Sequence, residues 1–431
     1  MDLLTANDQP GEYPASYYTA TARPLDPFAP SRGALTCDVC VVGGGFTGLS
    51  TALHLVRRGY DVILLEAQRV GFGASGRNGG QVGQGQRLEQ DALEKMLGRP
   101  HARALWQIAM QSVDLVRKLC AELDMPFHDG IIYADNRARD VSDSWDYVDK
   151  LNSEYNYEKI RPLDADECCH LVNSPIYHGG MIDMGSGHIH PLQFAFGLAR
   201  LAVLSGVRIF ERSKVTSLDT GDPSQLRTAD ATISARYVVL GCNGYLGDLQ
   251  RDVAARVMPI NNYILATEPM TPEQQEELVR DNLAVADSKF VVNYFRFSED
   301  HRLLFGGGES YGYRFPRDIA AKVRKPMLEI FPQLRDTRID YAWGGTLAIT
   351  MNRMPHFARL AGNVLSLSGF SGHGVAMGTL SGQIAAEAIA GQAERFDLMA
   401  QVPSPRFPGG TALRSPLLIL AMLWYGLRDR L

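Results

Sequence analysis

Six cysteines in 431 residues, no dense run of lysine or arginine, and no apolar stretch long enough to cross a bilayer are the clearest shortages of this sequence. Cys37, Cys40, Cys120, Cys168, Cys169 and Cys242 show no disulfide-scaffold spacing. That usage suits a reducing compartment, so a cytoplasmic location is expected. Cys37 and Cys40 form a C-x-x-C pair, but residues three apart on a strand face opposite sides, so packing is expected rather than metal or redox chemistry. The net charge of −5, without a basic patch, gives no footprint for nucleic acid. The N-terminal residues lack a charged stretch followed by an apolar one, so no signal peptide is expected. No repeat, Ser-His-Asp pattern or H-E-x-x-H pattern is evident. Pro416–Leu427 is mostly apolar but too short to span a bilayer as a helix. Docking on the protein body is expected there, with a weak membrane contact as the alternative.

What is present is a nucleotide-binding fingerprint. Cys37–Val42 reads as a short buried strand, Gly43, Gly45 and Gly48 as the turn, Leu49–Arg58 as a helix, and Val62–Leu65 as a second strand closed by Glu66. Gly43 permits the tight turn, Gly45 lets backbone approach a pyrophosphate, and Gly48 lets the helix pack on the sheet. The helix N-terminus offers amides and a positive dipole end to phosphate. Glu66 lies 18 residues after Gly48. A carboxylate at that spacing accepts hydrogen bonds from an adenosine ribose and repels a 2′-phosphate.

The rest of the chain divides by pattern. Residues 1–36 read as an extended surface arm. Residues 37–86, 171–257 and 351–395 read as one discontinuous dinucleotide-binding domain. The stretch 87–170 is helical in pattern, and 258–350 carries alternating strands that suit an antiparallel substrate domain; 396–431 is a tail. Tyr237–Leu240 is a buried strand that stops at Gly241, with Asn243 just beyond, on the carboxyl edge where a cofactor binds. The fold class expected is α/β: a Rossmann-like domain with an inserted, mainly antiparallel α+β substrate domain.

These segments resemble the FAD-dependent amine and amino-acid oxidases of the D-amino-acid oxidase type. The resemblance is nearest to the γ-glutamylputrescine and L-pipecolate oxidase branches. It is carried by Ser16-Tyr-Tyr-Thr-Ala, by Cys37 to Gly48, and by Gly73-Ala-Ser-Gly-Arg-Asn-Gly-Gly-Gln. It continues through Gly187-His-Ile-His-Pro, Asp300-His-Arg-Leu-Leu-Phe-Gly-Gly-Gly, Arg353-Met-Pro-His-Phe, Gly369-Phe-Ser-Gly-His-Gly-Val and Arg428-Asp-Arg-Leu. The fingerprint is common to many flavoproteins; the segments at 73–81 and 369–375 are more specific. The resemblance implies FAD, with its ADP half on Gly43, Gly45, Gly48 and Glu66. Ser75, Gly76, Arg77, Asn78, Gly79, Gly80 and Gln81 would line the pyrophosphate and isoalloxazine, and Val215 would pack at the adenine. Gly372, His373, Gly374 and Val375 would bring amides toward the flavin pyrimidine end, where negative charge develops on reduction.

The family reaction transfers a hydride equivalent from a carbon next to an amine nitrogen, giving an imine. Three departures bear on this chain. Gly344-Gly-Thr-Leu-Ala-Ile-Thr holds no cysteine where sarcosine oxidases attach flavin covalently, so non-covalent FAD is expected. Val375-Ala-Met replaces a carboxylate-binding lysine, leaving Arg77, Arg87, Arg296 and Arg353 as candidates for a substrate carboxylate. Val82-Gly-Gln-Gly-Gln-Arg differs from the Asn-Ser-Tyr-Ser-like run of the γ-glutamylpolyamine branch, leaving room for L-pipecolate oxidation. His373 and Arg353 are the candidate catalytic residues. The competing readings are a backbone-satisfied histidine at a tight turn and a solvated arginine at a strand end. His188 and His190 could share an ion from one strand face, but lack a third ligand at usual spacing, so no metal is expected. Expected partners are a small amine or amino acid and oxygen or a quinone as acceptor. The alternatives are a dehydrogenase feeding a membrane quinone, with the 416–431 tail as its docking element, and a non-catalytic flavin-binding redox protein.

Overall fold

The computed structural model describes residues 2–310 and 312–409. Two sheets organise it. The first has eight strands, its main path running His356–Ala361, Val364–Ser368, Ala231–Leu240, Gly33–Val42, Val62–Leu65, Arg208–Phe210. Its central pairings are parallel: Val42 lies beside both Leu65 and Leu240, and Leu240 beside Ser366. Both faces of these strands are covered by other elements, so Val39–Val42, Val62–Leu65 and Val364–Ser368 are buried without alternation. Helices Phe46–Val56, Pro191–Leu204 and Ala376–Ile389 pack together over the sheet and share the largest core cluster.

The second sheet has nine strands, with Ile339–Ile349, Met258–Thr267, Leu303–Ser310, Tyr294–Phe297 and Ala284–Asp287 in antiparallel succession. His128–Ala134 joins parallel to Ala284–Asp287, and Gly180–His188 and Gln81–Val82 extend the sheet. Helix Ile319–Ile330 closes its outer face over Tyr263, Phe295, Phe305 and Phe331. The architecture is the α/β class expected, a nucleotide-binding sheet with an inserted mixed sheet. Residues 180–188 and 128–134 pair in the second sheet, which brings strands from stretches read as nucleotide-binding and as helical into the substrate half.

Two local readings change. Residues 1–36 are more than a surface arm: helix Tyr17–Thr21, capped by Ser16, buries Tyr17 and Tyr18 against Trp343, Tyr341 and His190. The Cys37 and Cys40 thiols do not face opposite ways, because the Asp38 and Val39 amides both donate to the Asp61 carbonyl. That irregularity lets the two thiols meet, and both pack on one apolar cluster. Pro416–Leu427 and the rest of the tail beyond residue 409 lie outside the described residues.

Candidate cofactor cleft and substrate chamber

Three backbone turns converge where the parallel strands end. In the first, Gly43 has φ +109°. A Cβ there would stand 2.9 Å from the Gly241 carbonyl oxygen, so the turn after Ala231–Leu240 leaves no room for a side chain. A Cβ on Gly48 would stand 1.8 Å from the Gly43 carbonyl oxygen, which fixes how closely the helix approaches the strand. Gly45 opens helix Phe46–Val56 without a side-chain cap of its own. The Ser75 hydroxyl, arriving from the next loop, accepts from the Phe46 amide at 3.0 Å. Glu66 accepts the Gly44 amide at 2.6 Å and the Gln68 amide at 2.8 Å. Burial raises its carboxyl pKa to about 7; the two backbone amides oppose that shift, and Glu211 adds to it. Gly43, Gly45, Glu66, Ser75, Val215, Gly241 and Asn243 all line one cleft. Asn243, at φ +48°, also accepts the Gly369 amide at 2.9 Å and so ties this edge to the third turn.

The loop 73–81 is built by its own side chains. Asn78 donates to the Ala74 and Ser75 carbonyls and accepts the Gly80 amide at 2.7 Å. Gly80, at φ +79°, passes against the Ile189 carbonyl, where a Cβ would fall 2.2 Å away. Gly79 backs onto the Tyr294 ring, whose hydroxyl donates to Asn262 at 2.5 Å. Gln81 enters the second sheet opposite His188 and donates to the Val285 carbonyl. Arg77 is placed differently from a cofactor-lining cation. Its guanidinium is buried in an ion pair with Asp8 at 3.0 Å, donates to the Phe72 and Gly344 carbonyls, and stacks on Phe72. Its Nη2 has no partner among the described residues.

The third turn, Gly369 to Val375, leads into helix Ala376–Ile389, which has no side-chain cap at its start. Gly372 adopts φ +102° with open space where a Cβ would project. His373 is half-buried, with Nε2 3.4 Å from the Gln84 carbonyl, longer than a strong hydrogen bond. Burial, and then the Arg87 charge, lower its pKa to about 4, so it is neutral at pH 7. A Cβ built on Gly83 would be 3.1 Å from the Tyr133 hydroxyl and 3.4 Å from His373 Nε2, so both side chains face the 82–87 segment. That segment is propped from behind. The Gln84 amide donates to Ser186, Ser186 donates to Asp183, and Tyr157 also donates to Asp183. Asp183 is buried; it is held by Gly185 and Ser186 of its own strand and by Tyr157 from a loop 26 residues earlier.

The four candidate arginines separate clearly. Arg296 is buried and donates to the carbonyls of Gly79, Ile189 and Phe297. Arg77 is engaged as described. Arg87 and Arg353 form no side-chain hydrogen bond or ion pair among the described residues. Arg87 is solvent-accessible, yet desolvation, followed by repulsion from Arg353, lowers its pKa. A group both accessible and desolvated lines a depression rather than projecting from a surface. Arg353 has φ +64°, a strained turn after strand Ile339–Ile349 that hydrogen-bonds back to the Thr350 carbonyl. His188 Nε2 donates to the Asn282 carbonyl and the ring stacks on His128, whereas His190 caps helix Pro191–Leu204 through Nδ1.

The donor set fits FAD. A carboxylate and glycine-walled backbone stand at one end, and helix Phe46–Val56 begins at the cleft just after Gly45. The Gly369–Val375 turn meets the substrate half at the other end. Residues 38–388 match the DAO family model, described as FAD dependent oxidoreductase. The chain is 40% identical to gamma-glutamylputrescine oxidoreductase of Escherichia coli (strain K12) over 423 residues, 97% of this chain and 99% of that protein. Among solved structures it is similar to glycine oxidase from Geobacillus kaustophilus (TM-score 0.74, 20% identity, covering 86% of this chain and 99% of that one). L-Proline dehydrogenase from P. horikoshii is also similar (TM-score 0.69, 20% identity, covering 84% and 94%), and at such identity the likeness concerns the fold. No helix among the described residues is long and apolar enough to cross a membrane. With a fingerprint cleft, a flavin-type loop and near end-to-end similarity all agreeing, this chain belongs to the DAO family of FAD dependent oxidoreductases and is a flavin enzyme.

Proposed function

We propose that the enzyme oxidises the C–N bond of an amine that carries a carboxylate remote from the reacting nitrogen, with γ-glutamylputrescine as the leading substrate. The observation that carries this is the Arg87–Arg353 pair: two guanidiniums without partners among the described residues, on the side of the cleft where His373 and Tyr133 meet. Two like charges in a desolvated recess repel, and a bound carboxylate relieves that repulsion with charge-assisted hydrogen bonds. The 40% identical relative named for γ-glutamylputrescine supports the same class.

FAD, when bound, takes up the two electrons and the hydrogen leaving the carbon next to the amine nitrogen. The protein's own residues do the rest. Arg87 and Arg353 anchor the carboxylate and so fix how far the chain of the substrate reaches. Their positive potential, with desolvation, favours the neutral amine over the ammonium, and the neutral amine is the form that can lose hydride. His373, uncharged above about pH 4, adds no further cation beside that amine. The uncapped start of helix Ala376–Ile389 directs amides and a dipole end toward negative charge that develops on reduction. His373 and Arg353 act here as substrate-side residues; the cofactor-side set is Gly43, Gly45, Gly48, Glu66, Ser75, Asn78, Gly79, Gly80, Gln81, Val215, Gly241, Asn243, Gly372, Gly374 and Val375. FAD is held without a covalent bond, since no cysteine follows Cys242 in the sequence. Oxygen serves as electron acceptor, in a cytoplasmic enzyme.

The test is anaerobic mixing of the yellow protein with γ-glutamylputrescine, putrescine, L-pipecolate, sarcosine and L-proline, following the flavin absorbance. Bleaching by γ-glutamylputrescine but not putrescine is the expected result, and rapid recovery on admitting air identifies oxygen. Bleaching by L-pipecolate instead moves the carboxylate next to the reacting carbon and overturns the remote-anchor reading.

A further inference from the structure

The first residues of the chain make a set of contacts that the cofactor cleft and the substrate half both share. Leu4 is buried and lines the cleft alongside Glu66 and Val215. Gln68, two residues after Glu66 and itself buried, grips this segment twice. Its Nε2 donates to the Leu4 carbonyl at 2.8 Å and its Oε1 accepts the Gly11 amide at 2.6 Å. Asp8 neutralises Arg77, whose side chain is 1% exposed. The neighbouring Asn7 brackets the substrate half: its Nδ2 donates to the Tyr313 carbonyl at 2.8 Å and its Oδ1 accepts the Phe315 amide at 2.7 Å. Phe315 in turn packs edge-on against Tyr263 and crowds Gly344.

These contacts are mutually dependent. If residues 2–13 lifted, Arg77 would be left as a buried cation without its carboxylate, and Gln68 would lose both partners; each loss is costly in a low-dielectric site. A segment that covers the adenosine end of a cleft, and whose removal exposes a charge in the very loop lining that cleft, is built as a closure. We propose that residues 2–13 form a strap over the adenosine end of the FAD cleft, latched by Asp8–Arg77 and tied by Asn7 to residues 313–315, so that FAD leaves only when the strap lifts. Cofactor and strap then stabilise each other, because each restricts the opening of the other. The inference rests on FAD binding and is independent of which amine is oxidised.

The experiment uses the purified holoenzyme and three variants: Asp8→Asn, deletion of residues 2–11, and Asp164→Ala. The last removes the side chain that caps helix Ala165–Leu171, outside the strap, as a control for general destabilisation. Flavin fluorescence after dilution into an excess of an FAD-scavenging apoprotein reads the release rate. Asp8→Asn should accelerate release by about tenfold, a change of about 1.4 kcal/mol, the deletion by at least as much, and Asp164→Ala should leave it unchanged. A second reading needs no variant. Glu-C cleavage after the exposed Glu12 requires local opening, so it should slow at least severalfold when FAD is added to flavin-stripped protein. Release rates equal to wild type in both strap variants, or Glu12 cleavage indifferent to FAD, would overturn the proposal.

Discussion

The two ends of the ligand-binding groove are built by opposite means. At the adenosine end the contacts are backbone: glycine turns, amides and one carboxylate that is already hydrogen-bonded to the Gly44 and Gln68 amides. At the end proposed for substrate the walls are side chains; Arg87 and Arg353 form no side-chain hydrogen bond or ion pair among the described residues, although the Glu309 and Glu89 charges act on Arg87. The contrast extends to the arginines that do have partners. Arg77 and Arg296 are buried and hold loops together, through Asp8 and through the Gly79 and Ile189 carbonyls respectively. A rigid, self-satisfied end suits a cofactor common to a whole family. An end with unpaired charge suits a ligand that differs between members and must supply the missing partner.

The sharpest way to break the contrast is at Gly48. A valine there would drive Cβ and its methyls into the Gly43 carbonyl, a clash with backbone that no rotamer relieves. We expect a loss of more than ~4 kcal/mol of stability, enough to abolish flavin retention, measured by urea unfolding and by absorbance of the purified protein. At the opposite end, Arg87→Met should leave the fold and flavin content intact. It should raise KM for the carboxylate-bearing substrate by roughly ten- to a hundredfold with little change in kcat, the signature of a lost binding contact. If kcat falls instead while KM holds, Arg87 belongs to the reacting centre and the division drawn above fails.

A pH experiment sharpens the comparison. His373 has a folded pKa of about 4 against 6.5 in the unfolded chain. Below pH 6.5 the unfolded state takes up the proton first, so the stability that His373 contributes is present above 6.5 and is lost as pH falls toward about 4. The difference in Tm between wild type and His373→Asn should therefore shift in favour of the variant across that window, and be flat above pH 7. The smallest effect is expected for Tyr294→Phe, which removes the hydroxyl that donates to Asn262 behind Gly79. About 1 kcal/mol of stability should go, with a minor change in KM, because the ring that supports the loop stays in place.

How much of this was legible in the sequence follows from the range of the interactions. The turn at 43–48, the strand before it and Glu66 are set by spacing within a single strand–helix–strand unit, and periodicity reads such units well. The Arg77 placement was not legible: nothing near residue 77 announces that Asp8, 69 positions earlier, would neutralise it. The same holds for Asp183 supporting Gln84 through Ser186, and for Asn7 reaching residues 313–315. The expectation that Cys37 and Cys40 face opposite sides failed for a smaller reason, a shared acceptor at Asp61 that disturbs strand alternation, while both residues pack on one apolar cluster.

The sequence by itself determined the α/β class, the nucleotide fingerprint and the flavin-type loops, because each is a local pattern of glycine, apolar period and charge. Only the tertiary structure decided that Arg77 and Arg296 are engaged while Arg87 and Arg353 form no side-chain hydrogen bond or ion pair among the described residues, and that Leu4 reaches the cleft. Those outcomes depend on partners from 57 to 306 residues apart in the chain, brought together by packing rather than by any local preference.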